Sequence, residues 1–337
     1  MGACMRAIQL NRFGGPDVFD VVEMPKPLPE AGEVLIRVRA AGVNFFEVLM
    51  RGDRYAVTPQ LPMVLGVEAA GTVEALGQGV DISLTGTRVA PPLFASKRPF
   101  GGYADYVTID AKLAVPLPDA LSFEDATDSM VQGLTAFHLL RQSPPAGKSV
   151  LVTAAAGGVG SLLVQLAKRQ GASTVIAVAG SRAKLDLALS LGADAAVDYS
   201  TSDWPARVRE AAGGASVDVV YDIVGGPVTA ASLQALAPGG ELVFAALGRY
   251  AIGAAELEAM ITRNQSLRGF ALLPLLSADG LRAGLSELFH LAASGQLAVT
   301  QGGRYPLGPG SRSTSLAGGA SLDRQGRADT LAILGKV

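Results

Sequence analysis

The stretch VLVTAAAGGVGSLLVQLAKRQG occupies residues 150–171. An apolar run, Val150 to Val152, gives way to small residues and then to a helical pattern that stops at Gly171. A strand, a glycine-rich turn and a helix in that order form a device for holding a dinucleotide. The missing side chains let backbone N–H groups approach a pyrophosphate, and the helix N-terminus adds partial positive charge. The usual spacing, G-x-G-x-x-G, falls here on Ala155, Gly157 and Gly160, with alanine in the first place.

The surrounding chain supplies the context this spacing needs. SVLVTA (149–154), STVIAVAG (173–180), AAVDY (195–199), VDVVYDIV (217–224) and ELVFAAL (241–247) read as strands. SLLVQLAKRQGA (161–172), SRAKLDLALSLGA (181–193), WPARVREAAGG (204–214) and PVTAASLQALAPGG (227–240) read as helices. Strands that are mostly apolar throughout, alternating with helices, predict a parallel, doubly wound sheet covered on both faces. Residues 248–300 continue with ELEAMITR and GLSELFHLAASGQ as helices. Upstream, VLIRVRAAGV, AGTVEAL and YADYVTI are short β-branched runs separated by Pro and Gly, which predicts a β-rich unit over residues 1–125. Residues 126–142 carry helical spacing with no breaker apart from Gly133.

The chain has 337 residues, which suggests two domains. With 49% hydrophobic residues and 17% charged, it reads as a soluble globular protein. A net charge of −2 without a basic run argues against nucleic acid and anionic membrane as partners. No run of apolar residues reaches the ~18–20 that a membrane span needs. The opening MGACMRAIQL lacks the apolar core of a signal peptide, and the lone Cys4 fits a reducing compartment; a cytoplasmic location is expected. One Cys and two His exclude a structural four-cysteine zinc site and leave few ligands for a catalytic one. His138 and His290 both lie within apolar helical stretches and read as structural residues.

The choice of dinucleotide depends on the end of the second strand of the alternating region. Sites for NAD place an acid there to bind the ribose 2′-hydroxyl. Here the chain reads VAGSRAK, with Gly180 and Ser181 at that point and Arg182 and Lys184 just after. Cations at a helix start are mildly unfavourable and need another reason to be there. A 2′-phosphate supplies one, so the segment predicts NADPH.

Several motifs in one order resemble the zinc-free quinone oxidoreductases, the zeta-crystallin-like branch of the medium-chain dehydrogenases and reductases. They are AGVNFFEVLMRGDRY (41–55), LPMVLGVEAAGTV (61–73), GGYADYV (101–107), GLTAFHLL (133–140), VTAAAGGVGSLLVQLAK (152–168), LGADAAVDY (191–199) and VDVVYDIVGG (217–226). The resemblance implies an α/β protein: a GroES-like β-rich catalytic domain over 1–125 and 272–337, and a Rossmann domain over 126–271. The active site would lie in the cleft between them. Zinc-dependent relatives carry a Cys near Asn44–Glu47 and a His at the place of Val67; neither is present here.

By the same resemblance, Asn44 and Tyr55 would face substrate and nicotinamide, and Thr135 the nicotinamide ribose. Ala156, Gly157, Gly158 and Val159 would cradle the pyrophosphate. Ser181, Lys184 and Tyr199 would hold the 2′-phosphate end, beside Gly180 and Arg182. Phe244, Leu247 and Gly248 would line the nicotinamide loop. A homodimer joined through the edges of the Rossmann sheets is implied as well.

The expected chemistry is hydride transfer from NADPH to a quinone, with negative charge developing on a carbonyl oxygen. The Asn44 amide or the Tyr55 hydroxyl would stabilise that charge. Reduction of the double bond of a 2-alkenal or enoyl thioester is an alternative on the same fold, and non-catalytic NADPH binding is an alternative of another class. After RYPL (304–307) the chain departs from the family pattern. A Gly- and Ser-rich tail follows, with no helical stripe until DTLAIL (329–334), and its composition favours flexible chain over a packed helix.

Overall fold

The structure, a computed structural model, describes residues 2–300, 302–306 and 332–335. The chain divides into two compact units, Met1–Val131 with Leu276–Val337, and Gln132–Leu275.

The first unit opens with strands β1 (Cys4–Leu10), β2 (Phe19–Pro25) and β3 (Glu33–Val43), then helix α1 (Phe45–Arg51). Strands β4 (Met63–Val64), β5 (Ala69–Leu76), β6 (Arg88–Ala90), β7 (Tyr106–Asp110) and β8 (Val115–Pro116) follow, then helix α2 (Phe123–Asp128). Helix α3 (Val131–Gln142) begins at the last residue of this segment and continues into the second unit.

The longest strand, β3, organises the unit by pairing antiparallel with both β5 and β7. Its residues Val34, Ile36 and Val38 are buried among Leu10, Leu65, Val73, Tyr103, Val107 and Ile109. Each such aliphatic side chain taken out of water contributes about 1.5–3 kcal/mol. β1, β2 and β4 form a separate three-stranded sheet.

The second unit runs β9 (Ser149–Val152), α4 (Gly158–Arg169), β10 (Thr174–Ala179), α5 (Arg182–Ser190), β11 (Ala195–Asp198) and α6 (Trp204–Ala211). It continues with β12 (Val217–Asp222), α7 (Pro227–Ala235), β13 (Leu236–Phe244), α8 (Ala254–Thr262) and β14 (Ser266–Gly269). All neighbours are parallel, in the order β11-β10-β9-β12-β13-β14. The direction of winding reverses between β9 and β12, and ligands of such sheets bind outside the carboxyl ends of the strands at that point. The central strands are buried on both faces, which is why their sequences read as apolar throughout.

The chain then returns to the first unit with α9 (Ala278–Ala293), β15 (Gly303–Pro306) and β16 (Ala332–Gly335). β16 lies parallel to β3 and antiparallel to β15. Of the DTLAIL stripe, residues 332–334 are therefore strand and not helix. The Gly- and Ser-rich segment 307–331 lies outside the described residues.

Three further elements differ from the sequence reading. The single helix expected over 126–142 is two, because α2 stops at Ser129, whose hydroxyl donates back to the Asp125 carbonyl. The helix expected to reach Gly240 stops at Ala235, ahead of Pro238, which lacks an N–H, and Gly239, which has φ 73°. β14 has all four residues exposed and gives no apolar pattern to read. No described helix is long and apolar enough to cross a membrane.

Candidate functional site

In the second unit, β9 ends at Val152 and the turn to α4 is held by backbone bonds. Ala154 adopts φ 45°, a left-handed conformation that costs a residue with a Cβ about 1–2 kcal/mol. The Ala155 N–H donates to the Val178 carbonyl (3.1 Å), and the Gly157 N–H to the Ala154 carbonyl (2.8 Å). The tight turn that the first fingerprint glycine usually makes therefore falls on Ala154, and Ala155 is a fully buried packing residue.

Gly160 cannot be replaced without movement, since a Cβ there would lie 2.2 Å from the Ala154 oxygen. A Cβ on Gly158 would lie 2.8 Å from Cγ of Gln132, so α3 packs against the first turn of α4. Ala156, Gly157, Gly158 and Val159 are half-buried, at the helix end whose first N–H groups have no partner within the helix. This cradle fits a pyrophosphate. Thr135 is half-buried on α3, one turn beyond Gln132.

The carboxyl ends of β10 and β11 bring Gly180 under Tyr199: a Cβ at position 180 would meet the Tyr199 ring at 3.2 Å. Ser181 caps α5 without using its hydroxyl for the cap. Arg182 pairs with Asp186 one turn on, at 2.9 Å. Lys184 is exposed and, among the described residues, in no ion pair. A cavity of about 330 Å³ adjoins Tyr199, lined by Ser200, Trp204, Val228 and Ala231 among others. Phe244 ends β13 with its ring 5.8 Å from that of Tyr250; Leu247 is exposed, and Gly248 has φ 80°.

In the first unit, Asn44 is the N-cap of α1 and is buried. Its Nδ2 donates to Glu68 Oε1 at 2.8 Å and more weakly to Glu47 Oε2 at 3.4 Å. The Asn44 side chain, expected to face substrate and nicotinamide, is thus held by two glutamates of the first unit. Tyr55 is half-buried, with its ring 5.5 Å from that of Phe46.

Glu47 and Glu68 are the residues that the sequence reading missed. Glu47 also accepts from the N–H groups of Asn44 (2.9 Å) and Gly66 (2.8 Å), and Glu68 Oε2 accepts from Val131 N–H (2.8 Å). Burial pushes Glu47 up to about 7 and Glu68 up to about 8, against the usual carboxylate range near 4.5. Their hydrogen bonds act in the opposite direction and are too few to cancel desolvation. The buried Tyr103 hydroxyl is raised well above the usual phenol range, by burial first and then by Glu47. Among the described residues no group of His, Cys, Asp or Glu is arranged to hold a metal ion.

Comparison with known proteins now decides the relationship. Residues 30–119 match the alcohol dehydrogenase GroES-like domain, and residues 158–280 the family described as zinc-binding dehydrogenase. A quinone oxidoreductase of Salmonella typhimurium is 34% identical over 310 residues, covering 89% of this chain and 92% of that one. The chain belongs to the quinone oxidoreductase family of medium-chain dehydrogenases and reductases. A crystal structure of the Escherichia coli quinone oxidoreductase complexed with NADPH superposes with a TM-score of 0.77 at 32% identity, covering 88% of this chain and 90% of that one. The family extends to other acceptors: a 2-haloacrylate reductase of Burkholderia is 37% identical over 240 residues, 69% of this chain and 71% of its own.

Proposed function

We propose that the protein is an NADPH-dependent reductase of quinones that works without zinc. The observation that carries this reading is the Gly180–Lys184 segment: no carboxylate ends β10, Tyr199 covers Gly180, and Lys184 is in no ion pair among the described residues. A 2′-phosphate completes that arrangement, and a carboxylate would have repelled it. Lys184 carries more of this role than Arg182, which Asp186 already engages. The cavity beside Tyr199 suits the adenine, a flat apolar ring with polar edges.

When bound, NADPH supplies a hydride to the acceptor. The residues of this chain bind and orient it. The turn from Ala156 to Val159 offers backbone N–H groups to the pyrophosphate, Thr135 the ribose, and Phe244, Leu247 and Gly248 a wall for the nicotinamide. The Asn44 amide, oriented by Glu68 and Glu47, or the Tyr55 hydroxyl is the donor for negative charge developing on the acceptor oxygen. One such donor is worth about 3–4 kcal/mol of transition-state stabilisation. Zinc-independence is supported by ligand scarcity: the chain has Cys4, His138 and His290, and Val67 stands where zinc-dependent relatives carry a histidine.

We further propose a homodimer in the cytoplasm, formed through the edge of the second unit's sheet. β14 ends that sheet, and Leu257, Ile261, Leu267, Leu273 and Leu275 are exposed on β14 and the neighbouring segments. A second reading, reduction of an activated carbon–carbon double bond, is favoured by the 2-haloacrylate reductase relative.

The test is oxidation of NADPH and of NADH by the purified protein with small quinones, enones and 2-haloacrylates. Rapid quinone reduction with NADPH, at least tenfold weaker with NADH, is expected. Faster turnover of the haloacrylate or enone transfers the assignment to the second reading. Absence of turnover with every acceptor overturns both.

A further inference from the structure

The motif VDVVYDIVGG contains an acid, Asp222, that the proposed chemistry does not use. It ends β12 at the point where the winding of the sheet reverses, and it has no exposed surface. Its Oδ1 accepts from the Thr153 hydroxyl (3.1 Å) and from the N–H groups of Val224 (2.9 Å) and Gly225 (3.1 Å). Its Oδ2 accepts from the Thr229 hydroxyl, and its main-chain carbonyl from the Ala245 N–H (2.8 Å). One residue thus touches the starts of three loops: the turn after β9, the loop after β12 and the loop after β13.

Thr153 is the link to the first of these. It is fully buried, its hydroxyl donates to Asp222 and accepts from the Ile223 N–H at 2.9 Å, and it immediately precedes the left-handed Ala154. A strained residue keeps its conformation only where its surroundings over-determine it. Beyond Ala154 the bonds of Ala155 and Gly157 provide that constraint; before it, Thr153 and Asp222 do. The other two loops are pressed together: a Cβ on Gly225 would lie 2.7 Å from both Ala246 Cβ and the Arg249 oxygen, and Gly226 N–H donates to that same oxygen at 2.8 Å.

We infer that Asp222 is a positioning residue for the dinucleotide: through the Thr153 hydroxyl it sets the phosphate-binding turn in register with the loop after β12. The inference rests on the reading of residues 154–160 as a pyrophosphate cradle. The bond joins one buried hydroxyl to one carboxylate oxygen beside the turn, so its loss moves the turn and not the whole sheet. Misplacement of the cradle weakens binding, whereas a saturating cofactor restores the turn.

The test compares Thr153→Val, which keeps the side-chain shape and removes the hydroxyl, with Thr229→Val, which removes a donor from the same carboxylate without touching the phosphate turn. NADPH dissociation constants come from fluorescence titration, kcat from saturating NADPH with a quinone, and stability from thermal unfolding. Thr153→Val is expected to weaken NADPH about tenfold with kcat within twofold of the parent. Thr229→Val is expected to lower the unfolding midpoint and leave NADPH affinity within twofold. Unchanged affinity in Thr153→Val, or an equal loss in Thr229→Val, overturns the positioning role.

If Thr153→Val does not fold, Thr153→Ser and Asp222→Asn carry the test. Each keeps the Thr153–Asp222 bond, so each is expected to bind NADPH within threefold of the parent; a tenfold loss in either overturns the inference. Failure of the parent protein to bind NADPH at all overturns the cradle reading itself, and is told apart by that control.

Discussion

Glu68 and Asp222 are both fully buried carboxylates, one in each unit, and the protein holds them differently. Glu68 receives one N–H on each oxygen, from Asn44 Nδ2 and from Val131. Asp222 receives three donors on one oxygen and a hydroxyl on the other. For Glu68, desolvation outweighs its bonds, with the carboxyls of Glu47 and Asp128 adding to the rise, and the group titrates near neutral pH. Burial therefore does not by itself say what an acid is for. Asp222 ties three loop starts together through its donors, whereas Glu68 joins Asn44 to the start of α3.

The contrast breaks most directly on paired apolar substitutions. In Glu68→Met two buried groups, Asn44 Nδ2 and Val131 N–H, lose their partner, at a cost of about 1–3 kcal/mol each. In Asp222→Leu four donors lose theirs, so the loss is expected to be about twice as large. Urea unfolding of the two variants checks this; equal losses would dissolve the distinction.

The second expectation concerns pH. Glu47 and Glu68 are raised above their unfolded values, to about 7 and about 8. The folded state then holds protons that the unfolded chain releases above about pH 4.5. Their contribution to stability is fully present below that point and is lost as pH rises through 7 and 8. The thermal midpoint is expected to fall between pH 5 and 8, with a shallower slope in Glu68→Gln, by at most about 1.4 kcal/mol per pH unit for each group removed. A profile that is flat, or as steep in the variant, sinks the assignment.

The smallest effects are at the surface. Arg182→Ala removes an exposed pair one turn apart on α5, worth about 0.3–0.5 kcal/mol, and is expected to change NADPH affinity about twofold. Lys184→Ala is expected to weaken NADPH about tenfold and leave NADH unchanged. Michaelis constants for both cofactors in both variants decide it, and equal effects of the two substitutions would remove the distinction between them.

The two buried acids also mark where sequence reading stops. The alternation from Val150 to Phe244, the glycines at 157 and 160 and the missing acid after β10 are local signals, so the Rossmann unit and its cofactor preference were legible. Asn44 was found through its motif, but its orientation was not, because Glu68 and Val131 lie 24 and 87 positions away along the chain and converge only after folding. Asp222 stood in plain view within VDVVYD, at the end of an apolar strand. A buried acid there is a signal for a polar hub, provided the reader asks what satisfies it. β14 left no trace, since SLRG has neither apolar alternation nor burial.

That last strand has a practical consequence for anyone handling the protein. Among the described residues β14 pairs only with β13, so one row of its peptide groups faces outward, beside exposed Leu267 and Ile261. Its one charge, Arg268, is engaged by Glu241. Natural sheet edges are usually guarded by an unpaired lysine, a proline or a bulge. This edge has no such guard; if the proposed second copy covers it, the edge is expected to stick to whatever strand it meets once that copy is diluted away. Dilute stocks should lose material on storage faster than concentrated ones, the reverse of ordinary aggregation.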